Sequence, residues 1–449
     1  MRRLRVVLPV LRHPSQVVVL AFALVVAVGT VLLLLPAARA GPGRTGVVDA
    51  LFAATSAVCV TGLVTVDTPT HWSSFGHVVI LALIQVGGFG IMALATLLAL
   101  VVSQRVGLRD RLNAAAESQA LGLGSARGVL LGVARTSLLF EAAGAAVLAV
   151  RLATSYDETP GRALWLGIFH SVSAFNNAGF ALYSDSLIGF AGDPVVTLAV
   201  NVLVFAGALG FPVLFELRRG WRTPARWTLH TKLVMATMTV LFAVGTAMYL
   251  LLEWTNRATL GPMGVLDKGL SALVLSVQPR SGGFNSVDTG DLNPETLLGT
   301  DVLMFIGAGS AGTGGGIKVT TFVVLLFVIL TEVRGDDDVT IFRRSIPREV
   351  QRQALSVALV SVAVVLGSTA LLLLHTDFTL DEVLFEAVSA FCTVGLSTGI
   401  TGQLGPFGHL LLTALMFVGR LGPITFASAL ALRSRPRRYE LPMERPMIG

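Results

Sequence analysis

Long apolar runs broken by short polar segments recur along the whole chain. Residues 16–35 read QVVVLAFALVVAVGTVLLLL, residues 129–150 read VLLGVARTSLLFEAAGAAVLAV, and residues 233–252 read LVMATMTVLFAVGTAMYLLL. Each approaches the roughly 20 residues that a helix needs to cross the hydrocarbon core of a bilayer. The first run is longer than the roughly 7–15 apolar residues of a cleavable signal. The pattern therefore predicts an all-α polytopic membrane protein.

Composition agrees. Of the 449 residues, 53% are hydrophobic and 13% charged, and the mean hydropathy is +0.76. Soluble domains carry about 25% charged residues. Two cysteines, Cys59 and Cys392, cannot make a disulfide framework and are expected at equivalent buried positions. The formal charge of +6 is spread along the chain in five basic clusters: Arg2 to Arg12, Arg105 to Arg127, Arg218 to Lys232, Arg334 to Arg352, and Arg433 to Arg445. The positive-inside rule puts all five in the cytoplasm, with both termini, so the charge follows from topology and calls for no nucleic acid. The segments between them are acidic, with Asp49, Asp67, Asp185, Asp193, Asp288 and Asp381 among their carboxylates. An acidic mouth concentrates cations, and for any single carboxylate a solvated outer face is the plain alternative. An even number of crossings between successive basic clusters gives eight transmembrane helices in four pairs.

The acidic segments are repeats of one another. FAATSAVCVTGL (52–63), FHSVSAFNNAGF (169–180) and FEAVSAFCTVGL (385–396) share F-x-x-x-S-A-x-x-x-x-G, while LVLSVQPRSGGF (273–284) keeps only Gly283 and the phenylalanine after it. A second glycine motif follows each, starting at Gly87, Gly207, Gly307 and Gly419. Two coupled motifs recurring four times identify an internal repeat. The stretch before each first glycine is too short to span and suits a re-entrant half-helix, because irregular backbone at membrane depth survives only where it lines a cavity or is buried in protein. Each repeat thus reads as helix, pore half-helix, loop and helix (M1-P-M2), arranged four times around one pore. The boundaries are 12–104, 124–220, 228–332 and 348–433, followed by a cytoplasmic tail at 434–449.

The loop strands are Val60-Thr61-Gly62, Asn177-Ala178-Gly179, Ser281-Gly282-Gly283 and Thr393-Val394-Gly395. The last begins like a potassium-channel filter. Ligands from backbone carbonyls tolerate varied side chains, whereas inward-pointing carbonyls need dihedral angles that favour glycine. Asp49 and the Asp381-Glu382 pair fall at half-helix N-termini, where negative charge suits the dipole.

At this point the chain resembles the Trk/Ktr/HKT superfamily of potassium transporters, most closely its KtrB-type membrane subunits. TGL (61–63), QVGGFGIM (85–92), RSGGFNSVD (280–288) and GRLGP (419–423) carry the resemblance, which covers essentially the whole chain. The absence of two extra helices before the first run favours KtrB over TrkH-type proteins. The resemblance implies a pore-forming subunit for potassium uptake, with filter glycines at Gly62, Gly179, Gly283 and Gly395. In the plant HKT branch a serine at the first of these goes with sodium preference, so Gly62 implies potassium. It also implies a homodimer in the cell membrane, a KtrA/TrkA-type cytosolic ring that binds nucleotide, no cofactor in this chain, potassium as the transported ion, and sodium as a candidate activator.

Residues 305–322, FIGAGSAGTGGGIKVTTF, hold Gly307, Gly309, Gly312, Gly314, Gly315 and Gly316, each of which weakens a helix by roughly 1 kcal/mol relative to alanine. A phosphate-binding loop is excluded, because Lys318 follows Ile317 rather than the last glycine and no soluble βα unit flanks it. The resemblance makes residues 307–317 an intramembrane gating loop; a kinked helix is the alternative. Arg420, at membrane depth, is expected to face the interior, as a fixed positive charge or bound to a carboxylate or to the carbonyls of that loop. Lys318 faces either the same cavity or the cytoplasmic end. Glu141 and Arg135 read as a structural pair or as loop anchors, and His170 as a packing residue.

Two other functions compete. A secondary transporter of an organic solute would show inverted repeats, whereas these repeats share one orientation. A sodium-permeable cation transporter remains open. A membrane-embedded enzyme lacks parts, since no HExxH or similar metal spacing occurs among the seven histidines.

Overall fold

The computed structural model describes residues 14–105 and 126–422. The basic segment at Arg2 to Arg12, Arg109, Arg111 and the tail at 434–449 lie outside the described residues. A long helix α1 (Pro14–Leu34) leads to a short α2 (Val47–Cys59), a single turn α3 (Thr68–His71) and α4 (Ser74–Arg105). The order of long helix, short helix, loop and helix then recurs. It appears as α5 (Ala126–Ser155), α6 (Pro160–Phe175) and α7 (Pro194–Leu209) with α8 (Phe211–Gly220). Next come α9 (Leu229–Glu253), α10 (Val265–Val277), α11 (Pro294–Ile306) and α12 (Val319–Arg334). A two-residue hairpin, β1 (Thr340–Ile341) with β2 (Arg344–Ser345), precedes α13 (Arg348–Leu373), α14 (Leu380–Phe391) and α15 (Pro406–Leu421).

Local chemistry sets these boundaries. Proline opens α6, α7, α11 and α15, where its missing N–H belongs to a group that has no helical partner anyway. Thr379 and Glu382 form a reciprocal capping box at the start of α14. Gly335 ends α12 in the left-handed conformation.

Among the described residues, four helices are long and apolar enough to cross a membrane, within α1, α5, α9 and α13. A fifth joins them if α7 and α8 count as one span bent by 102°. Their outer faces remain apolar: Leu24, Leu139 and Leu251 are 65%, 67% and 81% exposed, as suits a helix surrounded by lipid. The inward faces build two main apolar cores, one around α1 to α7 and the other around α9 to α11 with α13 to α15.

The second glycine motif has a packing reason. A Cβ added at Gly87, Gly207 or Gly419 would lie 2.0, 2.0 and 1.7 Å from the carbonyl oxygens of Val58, Phe175 and Phe391, at the ends of the short helices. Backbone cannot yield as a side chain can. Gly419→Ala is therefore expected to reduce the folded, monodisperse fraction in detergent on gel filtration. Gly367→Ala, which would meet nothing within 4 Å, should leave that fraction unchanged. Repeat three departs here: Gly307, with φ +72°, ends α11 and starts the glycine-rich segment instead.

Candidate functional site

The four short helices α2, α6, α10 and α14 end within a few residues of Gly62, Gly179, Gly283 and Gly395, so their partially negative C-termini converge on these glycines. All four glycines have positive φ, at 96°, 68°, 74° and 96°. They also meet in chain order. A Cβ on Gly62 would stand 3.0 Å from Gly179 Cα, and one on Gly179 would stand 2.9 Å from Gly283 Cα. One on Gly283 would stand 3.4 Å from Gly395 Cα, and one on Gly395 would stand 3.2 Å from Gly62 Cα. The four loops thus close into a ring. Repeat three belongs to it despite its divergent sequence.

The loops fold back on their own helices. In repeats one, two and four the N–H of Thr61, Ala178 and Val394 donates to the carbonyl of Ser56, Ser173 and Ser389 at 2.7–2.9 Å. The Ser56 and Ser389 hydroxyls accept from Gly62 N–H (3.0 Å) and Gly395 N–H (3.2 Å), and Ser173 donates to Phe180 O (2.7 Å). This explains the serine shared by those three motifs. In repeat three Gln278 takes its place, accepting from Phe284 N–H at 3.1 Å.

On one side of the ring lies a cavity of about 300 Å³ lined by the four glycines and by residues that follow them, including Leu63, Phe180, Asn285 and Leu396, with Asp67 and Asp288 at its walls. On the other side the glycine-rich segment bonds to residues that precede them. Thr313 Oγ1 donates to Asn177 Oδ1 at 2.6 Å and to Phe175 O at 3.3 Å. Gly315 N–H donates to Ser281 Oγ at 2.7 Å. The segment is also stitched to α7, Gly309 N–H to Ala208 O (2.8 Å) and Thr313 N–H to Gly207 O (3.2 Å). Space for it comes from the bend at Gly210 (φ +90°), where a Cβ would fall 2.5 Å from Ser310 O. A regular helix cannot follow that path.

Arg420 is buried and its Nη1 donates to Thr313 O, which selects the loop carbonyl over a carboxylate. Among the described residues its Nε and Nη2 have no partner, so a guanidinium with two free nitrogens there sits beneath the ring. Lys318, at the start of α12, turns back to donate from Nζ to Gly314 O, so it belongs to the glycine-rich segment.

Other expectations resolve as follows. Cys59 and Cys392 are both fully buried at the ends of α2 and α14. His170 is buried, with Nδ1 on Leu166 O (2.8 Å) and Nε2 accepting from Leu182 N–H (3.2 Å), so it ties the following loop as well as packing. Glu141 and Arg135 do not pair. Six residues apart on one helix they point roughly 120° apart around its axis, and Arg135 is exposed. Glu141 is instead buried and accepts from Gln85 Nε2 (3.1 Å) and Asn176 Nδ2 (3.0 Å), which anchors the loop after α6. Sequence reasoning missed Gln85 and Asn176 as parts of this network, and Thr313 as the link from the glycine-rich segment to Asn177. Only the polarity of Gln85 within an apolar run hinted at it.

A family model described as TrkH, cation transport protein, matches residues 7–435. The chain is 38% identical over 418 residues to Ktr system potassium uptake protein B of Bacillus subtilis, with 93% of each covered. It is 36% identical over 438 residues to the protein of that name from Vibrio alginolyticus, covering 97% of this chain and 94% of that one. Potassium/sodium uptake protein NtpJ of Enterococcus hirae is 32% identical over 447 residues, with 97% of each covered. Among solved structures, the potassium transporter TrkH from Vibrio parahaemolyticus shares the fold, with a TM-score of 0.72 at 19% identity over 94% of this chain and 86% of that one.

Proposed function

This chain belongs to the TrkH family of cation transport proteins, and from that membership we propose that it is the pore-forming membrane subunit of a potassium uptake system of the Ktr kind. The observation that carries the proposal is the closed ring of Gly62, Gly179, Gly283 and Gly395 around one cavity. Four M1-P-M2 repeats, with eight spans, surround a single pore. The strands at 60–62, 177–179, 281–283 and 393–395 are its filter. A cation entering from the cavity exchanges water for backbone carbonyls, and the C-termini of the four short helices favour its charge. Below the ring, residues 307–317, Lys318 and Arg420 form the gate. No covalent chemistry is involved; the ion moves down its electrochemical gradient.

The family is one of multi-span membrane transporters, which supports a cell-membrane location; both termini are assigned to the cytoplasm by the basic clusters. A relative named as protein B of a Ktr system is by that wording one component of several. This supports a separate partner subunit for this chain; a homodimer, a nucleotide-binding cytosolic ring as that partner and sodium as a candidate activator rest on the resemblance alone. A sodium-permeable transporter is the second reading, favoured by the printed name of NtpJ. An organic-solute carrier fits poorly with four like-oriented loops.

Uptake in a host lacking its own potassium importers tests the proposal. At limiting potassium the chain, expressed with a ring subunit of a Ktr system, should restore growth and take up rubidium in competition with potassium but not with sodium. Equal competition by sodium would move the assignment to the second reading. Solute uptake indifferent to both ions would sink the pore.

A further inference from the structure

Two positions before each ring glycine, at Val60, Asn177, Ser281 and Thr393, the backbone is left-handed, with φ of 55°, 59°, 67° and 48°. Such angles are unfavourable for residues with a Cβ and especially for branched ones. All four residues are fully buried, and none lines the cavity. Three of them meet the glycine-rich segment. Asn177 Oδ1 accepts from Thr313 Oγ1 at 2.6 Å, while its Nδ2 donates to Val204 O and Arg280 O at 3.3 Å. Ser281 Oγ accepts from Gly315 N–H at 2.7 Å. A Cβ on Gly315 would stand 2.2 Å from Thr393 Oγ1 and from Cys392 O.

The loops of repeats two and three are therefore the two whose side chains at this position bond the segment below. We propose that Asn177, Ser281 and Thr313 form a latch through which residues 307–317 hold the shape of the ring, so that ion preference depends on where the gate lies. The inference rests on the pore reading above. Its physical basis is that a buried polar group left without its partner is costly. If the segment moves away, Asn177 Oδ1 loses the Thr313 donor and Gly315 N–H loses its acceptor, in a region sealed from water. Loops two and three must then rearrange, and the carbonyls of the ring with them. The side chains of Asn177 and Ser281 act as positioning groups: they do not touch the ion but fix the backbone that does.

The test uses the purified full-length chain in liposomes and reads the ratio of rubidium to sodium influx. Thr313→Val keeps the shape and removes the donor; it should lower the ratio about fivefold, the size expected for one buried hydrogen bond. Thr313→Ser, which restores the hydroxyl, should recover most of the ratio. Ser281→Ala should lower the ratio independently. Ser310→Ala is the control, because the Ser310 hydroxyl bonds Thr320 Oγ1 at 2.8 Å and no ring residue; it should alter total flux without altering the ratio. Higher flux with an unchanged ratio in both Thr313→Val and Ser281→Ala would overturn the latch, leaving a gate that works without reading the filter. So would an equal loss of preference in Ser310→Ala, which would mean general loosening. If Thr313→Val does not fold, Ser281→Ala decides by the same ratio. A wild-type chain with no cation flux would instead strike the pore reading itself.

Discussion

Cells that depend on this chain for potassium will stop growing at limiting potassium when Gly395 becomes alanine. With φ +96°, Gly395 holds a conformation that L residues resist, and its added Cβ would fall 2.1 Å from Thr61 O. The Cβ is fixed by its own backbone and the oxygen is itself backbone, so neither can swing aside. The angle alone costs roughly 1–2 kcal/mol and displacement of the carbonyl adds to it, so potassium flux should fall at least about tenfold. Gly62→Ser, whose Cβ would meet Ala178 O at 2.5 Å, should shift preference towards sodium before flux is lost. Gly405→Ala, which would meet nothing within 4 Å, serves as the control. Normal growth with Gly395→Ala would remove Gly395 from the ion path.

The opposite sign is expected at Arg420. Its guanidinium holds Thr313 O and has two nitrogens without partners among the described residues, so in the proposed pore it both ties the segment down and opposes a passing cation. At an effective dielectric near 20, a unit charge several ångströms from an ion is worth roughly 2–4 kcal/mol. Arg420→Ala should raise potassium leak through the chain in liposomes, without any partner, by about tenfold or more. Arg420→Lys keeps the charge but not the fork of donors, and should fall between. Leak unchanged by both substitutions would mean that Arg420 braces the fold and does not gate.

Much of this was legible beforehand because the two signals involved are local. Short half-helices follow from apolar stretches too brief to span, and the ring glycines follow from a motif repeated at fixed spacing. The divergent third loop was aligned with the others by Gly283 and Phe284 alone, and Gly283 lies beside Gly179 and Gly395. What escaped was whatever depends on two distant segments meeting. Thr313 is one of two hydroxyls among six glycines, and nothing nearby announces that it bonds Asn177, 136 residues away. The 102° turn at Gly210 escaped likewise, since Gly-Phe-Pro in an apolar run is consistent with a mild kink. Glu141 and Arg135 failed as a pair because nearness in sequence stood in for facing direction.

The ring is made by one polypeptide whose four contributions differ. A ring built from identical chains changes everywhere at once when its gene changes, so only fully symmetric variants can be explored. Here a single codon alters one quadrant and leaves three intact. The geometry of the ring can therefore drift in small inherited steps, and no mixture of mutant and normal subunits ever arises within one ring.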